Sequence, residues 1–254
     1  MTRRAAIQAC SVLAILSFCL GAAGDETALS DWPTAEFHFS RMFYRDSGYG
    51  RGWGRGRGSW TTDQPEAEYH FTMGVKRLTR VDIGDSRELR VTDDSIFNYP
   101  WLYAVEVGRW YLDETDAARL REYLLRGGFL MVDDFHGTAQ WAGFLESMQR
   151  VFPDRPIVEI EESDEVMHVL YDLNKKIQIP GIAALSRGVT YEQDGVTPHW
   201  RGIYDADGRL MVAIDFNMDL GDAWELADEP YYPEPMTALA YRFAVNYVVY
   251  AMTH

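Results

Sequence analysis

Cysteine is nearly absent from this 254-residue chain: Cys10 and Cys19 are the two it has, and both lie in an apolar N-terminal stretch. Arg3 and Arg4 precede an apolar run from Ala5 to Leu20, and Gly21, Ala22, Ala23 and Gly24 supply the small residues of a cleavage site. The run is short for a membrane span, so residues 1–24 are expected to be a signal peptide, lost on export to the periplasm or the extracellular space. An uncleaved N-terminal anchor is the alternative. Lipidation at Cys19 is disfavoured by bulky Phe18 before it. Without that segment no thiol remains, which excludes disulfides, zinc–thiolate centres and cysteine nucleophiles. Residues 25–254 must then rest on their core, and with the chain 47% hydrophobic they are long enough to do so as one domain.

Positive charge is also scarce. Lys and Arg number 24 against 39 Asp and Glu, a formal charge of −15, and loss of Arg3 and Arg4 with residues 1–24 moves it to −17. Such a balance argues against nucleic-acid and anionic-membrane partners. It suits a neutral or cationic small molecule, or solubility alone. Beyond the N-terminus, the most apolar segment, Met236–Met252, carries Arg242 and Asn246 and reads as a core helix rather than a membrane span. One segment is compositionally biased: residues 47–59, where Gly and Arg alternate from Ser47 to Ser59. In an acidic exported chain it is expected to be a flexible surface loop, and it is where an envelope protein partner would make contact.

Periodicity supplies the elements. Glu36–Tyr44 alternates like a half-buried strand, Asp63–Leu78 reads as a helix, and a strand is expected near Thr79–Ile83. Tyr99–Val107 holds an apolar strand. Asp113-Glu114-Thr115-Asp116 opens a helix with acidic residues at the positive end of its dipole, and Gly127 closes it. Phe129–Val132 is apolar on both faces, as parallel strands covered by helices are. Thr138 is positioned to cap a helix carrying Trp141, Phe144, Leu145 and Met148, and a short strand follows at Ile157–Ile160. Trp200–Tyr204 and Arg209–Phe216 flank Asp205-Ala206-Asp207-Gly208, a hairpin signal. The alternation predicts an α/β fold with a doubly wound, mostly parallel sheet, closed by a C-terminal β-hairpin and helix.

Several blocks resemble a known family. They are Phe97–Tyr103, Gly127–Phe135, Tyr191–Gly195, His199–Tyr204, Asn217–Glu225 and Asn246–His254. Together they resemble the bacterial family called domain of unknown function 4159 over most of residues 36–254. That resemblance implies a flavodoxin-like sheet of the class I glutamine-amidotransferase-like superfamily, which also has sugar-related members, and implies no established activity. The chain departs from the family's pattern in its long Arg–Gly segment and at Asp164-Glu165 of the Ser163–His168 block, where a His-Pro pair is expected.

In glutaminases of that superfamily a cysteine occupies the turn after a central strand. The matching turn here is Asp133-Asp134-Phe135-His136-Gly137, with neither cysteine nor serine, so thioester chemistry is excluded. Two adjacent carboxylates there can still serve as acid and base, with His136 or His199 assisting. Adjacent strand residues face opposite ways, however, and the plainer alternative is that one aspartate caps the next helix and the other orders a loop. Asp215-Phe216-Asn217-Met218-Asp219 spaces oxygen ligands alternately, but Leu220 and Leu226 stand where an EF-hand needs Gly and Glu. No metal and no cofactor is therefore expected, an irregular calcium or magnesium site being the minority reading. His168 is expected to be structural and Trp141 to belong to the core. Arg201, Asn217, Asp219, Asp222 and Trp224 are the candidate ligand-binding residues, since aromatics beside carboxylates suit a sugar. The expectation is thus an exported module that binds a small molecule or an envelope protein; the alternative is a carboxylate-dependent hydrolase of a sugar or cell-wall component.

Overall fold

Trp101–Val105 is buried at every position, the pattern of a strand covered on both faces. In the computed structural model, which describes residues 33–48, 58–173 and 176–254, this segment lies within a seven-stranded, mostly parallel sheet. Residues 1–24 and most of the Arg/Gly-rich segment lie outside the described residues.

The strands in chain order are β1 (Ser40–Phe43), β2 (Arg45–Asp46), β3 (Arg87–Arg90), β4 (Trp101–Val105), β5 (Trp110–Tyr111), β6 (Phe129–Asp133), β7 (Val158–Glu159), β8 (His199–Tyr204) and β9 (Leu210–Phe216). The main sheet has the order β3-β1-β4-β6-β9-β8-β7, and β2 pairs with β5 alone. The first five strands of that order run parallel, and β8 and β7 are added antiparallel at each step. The described helices are α1 (Glu66–Leu78), α2 (Glu114–Leu125), α3 (Gly137–Val151), α4 (Ile182–Ser186), α5 (Leu220–Glu225) and α6 (Glu234–Thr253).

Helices cover both faces. Side chains of a strand alternate between faces: Trp101, Tyr103 and Val105 join Phe71 of α1, Trp224 of α5 and Phe243 of α6 in one core. Leu102 and Ala104 join Leu120 of α2 and Phe144 of α3 in the other. The α2 start follows from its sequence: Asp113 accepts from the Thr115 and Asp116 N–H groups in a capping box, and Gly127 turns the chain away at φ +109°.

Two local expectations are corrected. The strand expected at Thr79–Ile83 lies instead at Arg87–Arg90, and Ile83 makes one isolated bridge to Phe37. As the sheet's edge strand, β3 buries Leu89 alone, so it carries no apolar run to betray it. The strand expected at Ile157–Ile160 is the opposite, antiparallel edge, exposed at both residues. The expected hairpin forms as β8 and β9, and β9, buried throughout, also pairs with β6 in parallel.

β1 has β3 on one side and β4 on the other, so the chain leaves it in opposite directions for its next two strands of the sheet. At such a switch point the loops beyond the carboxyl ends part and leave a crevice.

Candidate functional site

The carboxyl end of β6 delivers Asp133 and Asp134 in different directions. Asp133, 0% exposed, faces α5: its Oδ2 accepts from the N–H groups of Leu220 (2.8 Å) and Gly221 (2.9 Å) and from the Tyr103 hydroxyl (3.2 Å). It therefore docks the start of α5, where a negative charge meets the positive helix end. Asp134 turns out of the strand in the left-handed region, at φ +52°. His136 Nε2 lies 3.1 Å from its Oδ1.

Two other segments bring carboxylates to the same edge. Asp63 precedes α1, and its segment is held by Arg41, which donates to the carbonyls of Trp60 and Thr62 while pairing with Glu68. Asp219 caps α5 through its Oδ1 and the Asp222 N–H at 2.7 Å. Asp222 Oδ2 accepts from the Ile182 N–H at 2.6 Å, tying α5 to α4. One oxygen each from Asp63, Asp134 and Asp219 lies within 4.8 Å of the others, and the same holds for Asp63, Asp222 and Glu225. Two glycines permit this approach. A Cβ on Gly221 would stand 2.2 Å from Asp63 Oδ2, and one on Gly181 would stand 2.6 Å from Asp219 Oδ2.

Burial is the main force on these groups. It raises the pKa values of Asp63, Asp134 and Asp219 well above the usual carboxylate range, and repulsion among the neighbouring carboxylates adds to it. Burial also lifts Asp133 to about 7 against the opposing effect of its backbone donors. Glu106 and Glu225 reach about 7, and Glu192 is raised too. Buried His136 moves the other way, down to about 4. It is neutral near pH 7, so Nε2 shares a single proton with Asp134 Oδ1, and Nδ1 is left buried without a partner among the described residues.

The edge is also where the backbone is forced. Asp63, Glu106, Asp134, Gln193 and Asn217 are the non-glycine residues with positive φ among the described residues, at +48° to +64°. Glu106 follows β4, Asp134 follows β6, Asn217 follows β9, and Gln193 adjoins Glu192. Non-glycine residues in this region cost on the order of 1–3 kcal/mol and collect at functional sites.

The sequence-predicted candidates divide. Asp134, Asp219 and Asp222 converge, with Asp133 beneath them. His199 and Arg201 do not join them: both contact Glu159, at 2.8 and 2.7 Å, and they pack on Phe216 and Trp141 at the other face of the sheet. Asn217 is a brace, accepting from Gly137 N–H (2.8 Å) and donating to the Thr197 carbonyl (2.7 Å). Trp224 is a core ring against Phe71 and Tyr103. Asp215 points into the same core as Trp224 and accepts from the Tyr247 hydroxyl at 2.9 Å. Neither Asp133 nor Asp134 caps α3; Asn217 and Asp194 supply those acceptors, Asp194 holding Thr138 through its N–H and hydroxyl. His168 contacts Asp172 and the Glu162 carbonyl. Asp63, Glu106, Glu192 and Glu225 were missed by sequence reasoning, and the one local signal for any of them is the acidic run Asp219–Glu225.

Among the described residues no helix is long and apolar enough to cross a membrane. No curated protein matches the chain. A family model does match, across residues 49–252, that of the domain of unknown function DUF4159. Asp63, Asp134, Asp219, Asp222 and Glu225 all fall within that span, and the chain belongs to this family.

Proposed function

We propose that the chain is an exported ligand-binding module on a flavodoxin-like, glutamine-amidotransferase-like sheet, with its site on the acidic carboxyl edge. The parallel strands β3-β1-β4-β6-β9 support the flavodoxin-like reading, since in chain order they run 2-1-3-4-5. Asp134 occupies the strained strand-to-helix turn where related sheets expose a nucleophile. A carboxylate in place of a thiol favours binding over acyl transfer.

The observation that carries this reading is the gathering of left-handed, non-glycine residues and raised carboxylates at one edge. A fold optimised for stability alone would have neither. Asp134→Asn keeps the side chain's shape and removes its repulsion. In metal-free buffer it is expected to raise the melting temperature, by about 2–4 °C per kcal/mol relieved, and to abolish binding of whichever neutral or cationic saccharide the wild type takes from a panel screened by ligand-observed NMR. A lower melting temperature with binding intact would show that Asp134 serves the fold. Export is checked on the secreted protein by intact mass, which should lack residues 1–24.

The contact between His136 and Asp134 favours a second reading, a carboxylate-dependent hydrolase of a sugar or cell-wall component. Turnover of a peptidoglycan fragment that disappears in Asp134→Asn would replace binding by catalysis.

A further inference from the structure

The carboxyl edge holds more negative charge than its cationic neighbours offset. Arg41 is committed to Glu68 and to two carbonyls, and Arg109 to Glu106. Among the described residues Asp63, Asp134 and Asp219 have no such cation of their own, and one oxygen of each lies within 4.8 Å of the other two. Oxygens on opposite sides of a calcium ion, at bonds of about 2.4 Å, stand about 4.8 Å apart, and adjacent ones stand closer. Three oxygens at this spacing fit one coordination shell.

A second observation does not depend on that clustering. Asp219 is 5% exposed, and among the described residues its one hydrogen bond, from the Asp222 N–H, goes to Oδ1. Oδ2 is left without a donor. It faces the space over Gly181, where Asp222 Oδ2 and Glu192 Oε1 also point: a Cβ placed there would be 2.6 Å from the first and 3.1 Å from each of the other two. Among the described residues, Asp63 Oδ2 and Asp133 Oδ1 are fully buried oxygens without a partner. Buried acceptors left unsatisfied are costly, and a cation satisfies several at once.

We propose that Asp63, Asp134 and Asp219 bind a hard divalent cation of the Mg²⁺, Ca²⁺ or Mn²⁺ class, an assignment that rests on reading this edge as the binding site. The donors are all oxygen, the set such ions prefer over thiolate or imidazole. His136 stands behind Asp134 and fixes its orientation, as outer-shell partners of metal ligands do. Asp63 also belongs to the second triplet, with Asp222 and Glu225, and so links the ion to α5.

The test uses the full chain stripped with chelator and titrated with MnCl₂, followed by water-proton relaxation, with CaCl₂ and MgCl₂ as competitors. Expected are one saturable site, displacement by the competitors, and a melting temperature that rises with cation concentration. Asp134→Asn and Asp219→Asn, folded by circular dichroism, should bind at least about tenfold more weakly, and His136→Ala weaker by roughly 10–100-fold. Gly181→Ala removes no carboxylate but puts a methyl group 2.6 Å from Asp219 Oδ2, which must shift; it should also weaken binding, and it keeps the test open where an aspartate variant fails to fold. Absence of Mn²⁺ relaxation enhancement at millimolar concentration overturns the cation, as does enhancement unchanged in all the folded variants. Saccharide binding that survives chelation while Mn²⁺ fails to bind would remove the cation and leave the ligand site standing.

Discussion

Asp133 shows how one residue can serve the fold and still carry tension. Its Oδ2 holds the start of α5, which favours the charged form, while burial favours the neutral one and lifts its pKa to about 7. Glu106 and Glu225 are raised to about 7 by the same cause. For an acid raised on folding, the native state keeps a proton that the unfolded chain has already lost, so stability falls as pH rises between the two values. His136, pushed down to about 4, has the opposite sign and loses stability as pH falls below about 6.5. The carboxylates outnumber it, so in chelator the melting temperature should decline from about pH 5 to about pH 7.5, and decline less steeply in Asp133→Asn. Thermal melts across that range check this; a rise with pH would mean the carboxylates are ionised and satisfied. Half of the acidic edge was legible in the sequence, because Asp133-Asp134 closes a recognisable strand and Asp219 with Asp222 follows shortly after another. Asp63, Glu106 and Glu192 were not, since only the sheet's strand order brings their separate segments together; Glu225, one turn past Asp222 in α5, was missed although it lies in the same acidic run.

At the scale of elements, legibility followed burial and capping. β4 and β6 are apolar at every position save Asp133, and α2 announces itself with Asp113 before it and Gly127 after. β3 and β7 are edge strands with at most one buried residue, and a pattern read for hydrophobic period passes over them. α3 had its cap misread for a related reason: Thr138 is local, whereas Asn217 and Asp194 arrive from distant loops. Asn217 thus couples β9 to α3. Asn217→Ala removes an acceptor for Gly137 N–H and a donor to Thr197, and it places alanine at φ +64°. The expected loss is about 1–3 kcal/mol, read as a lower denaturation midpoint with unchanged slope. Asn217→Gly, which tolerates the backbone angle, should lose less than Asn217→Ala; the reverse order would assign the loss to something other than strain.

At the scale of the molecule, residues 33–254 form one compact unit whose two cores share a single sheet. Each central strand sends alternate side chains to opposite faces, so Tyr103 and Leu102, neighbours in β4, belong to different cores. Neither core can be lost without freeing the strands that the other needs. Phe71 is fully buried against Phe39, Trp101 and Trp224 on one face, and Phe144 against Trp110, Phe135 and Trp141 on the other. Phe71→Ala and Phe144→Ala should each cost about 3–5 kcal/mol. Both should shift one cooperative transition, with near-ultraviolet and far-ultraviolet circular dichroism melting together. A variant that loses its near-ultraviolet signal before its helices would show that the faces fold separately. The acidic edge makes the same coupling useful, because Asp63, Asp134 and Asp219 enter from before α1, after β6 and before α5. A ligand held among them closes contacts between segments whose places depend on both cores. Its binding should therefore raise the midpoint of the whole transition, and a core substitution that leaves the chain folded should leave that shift intact.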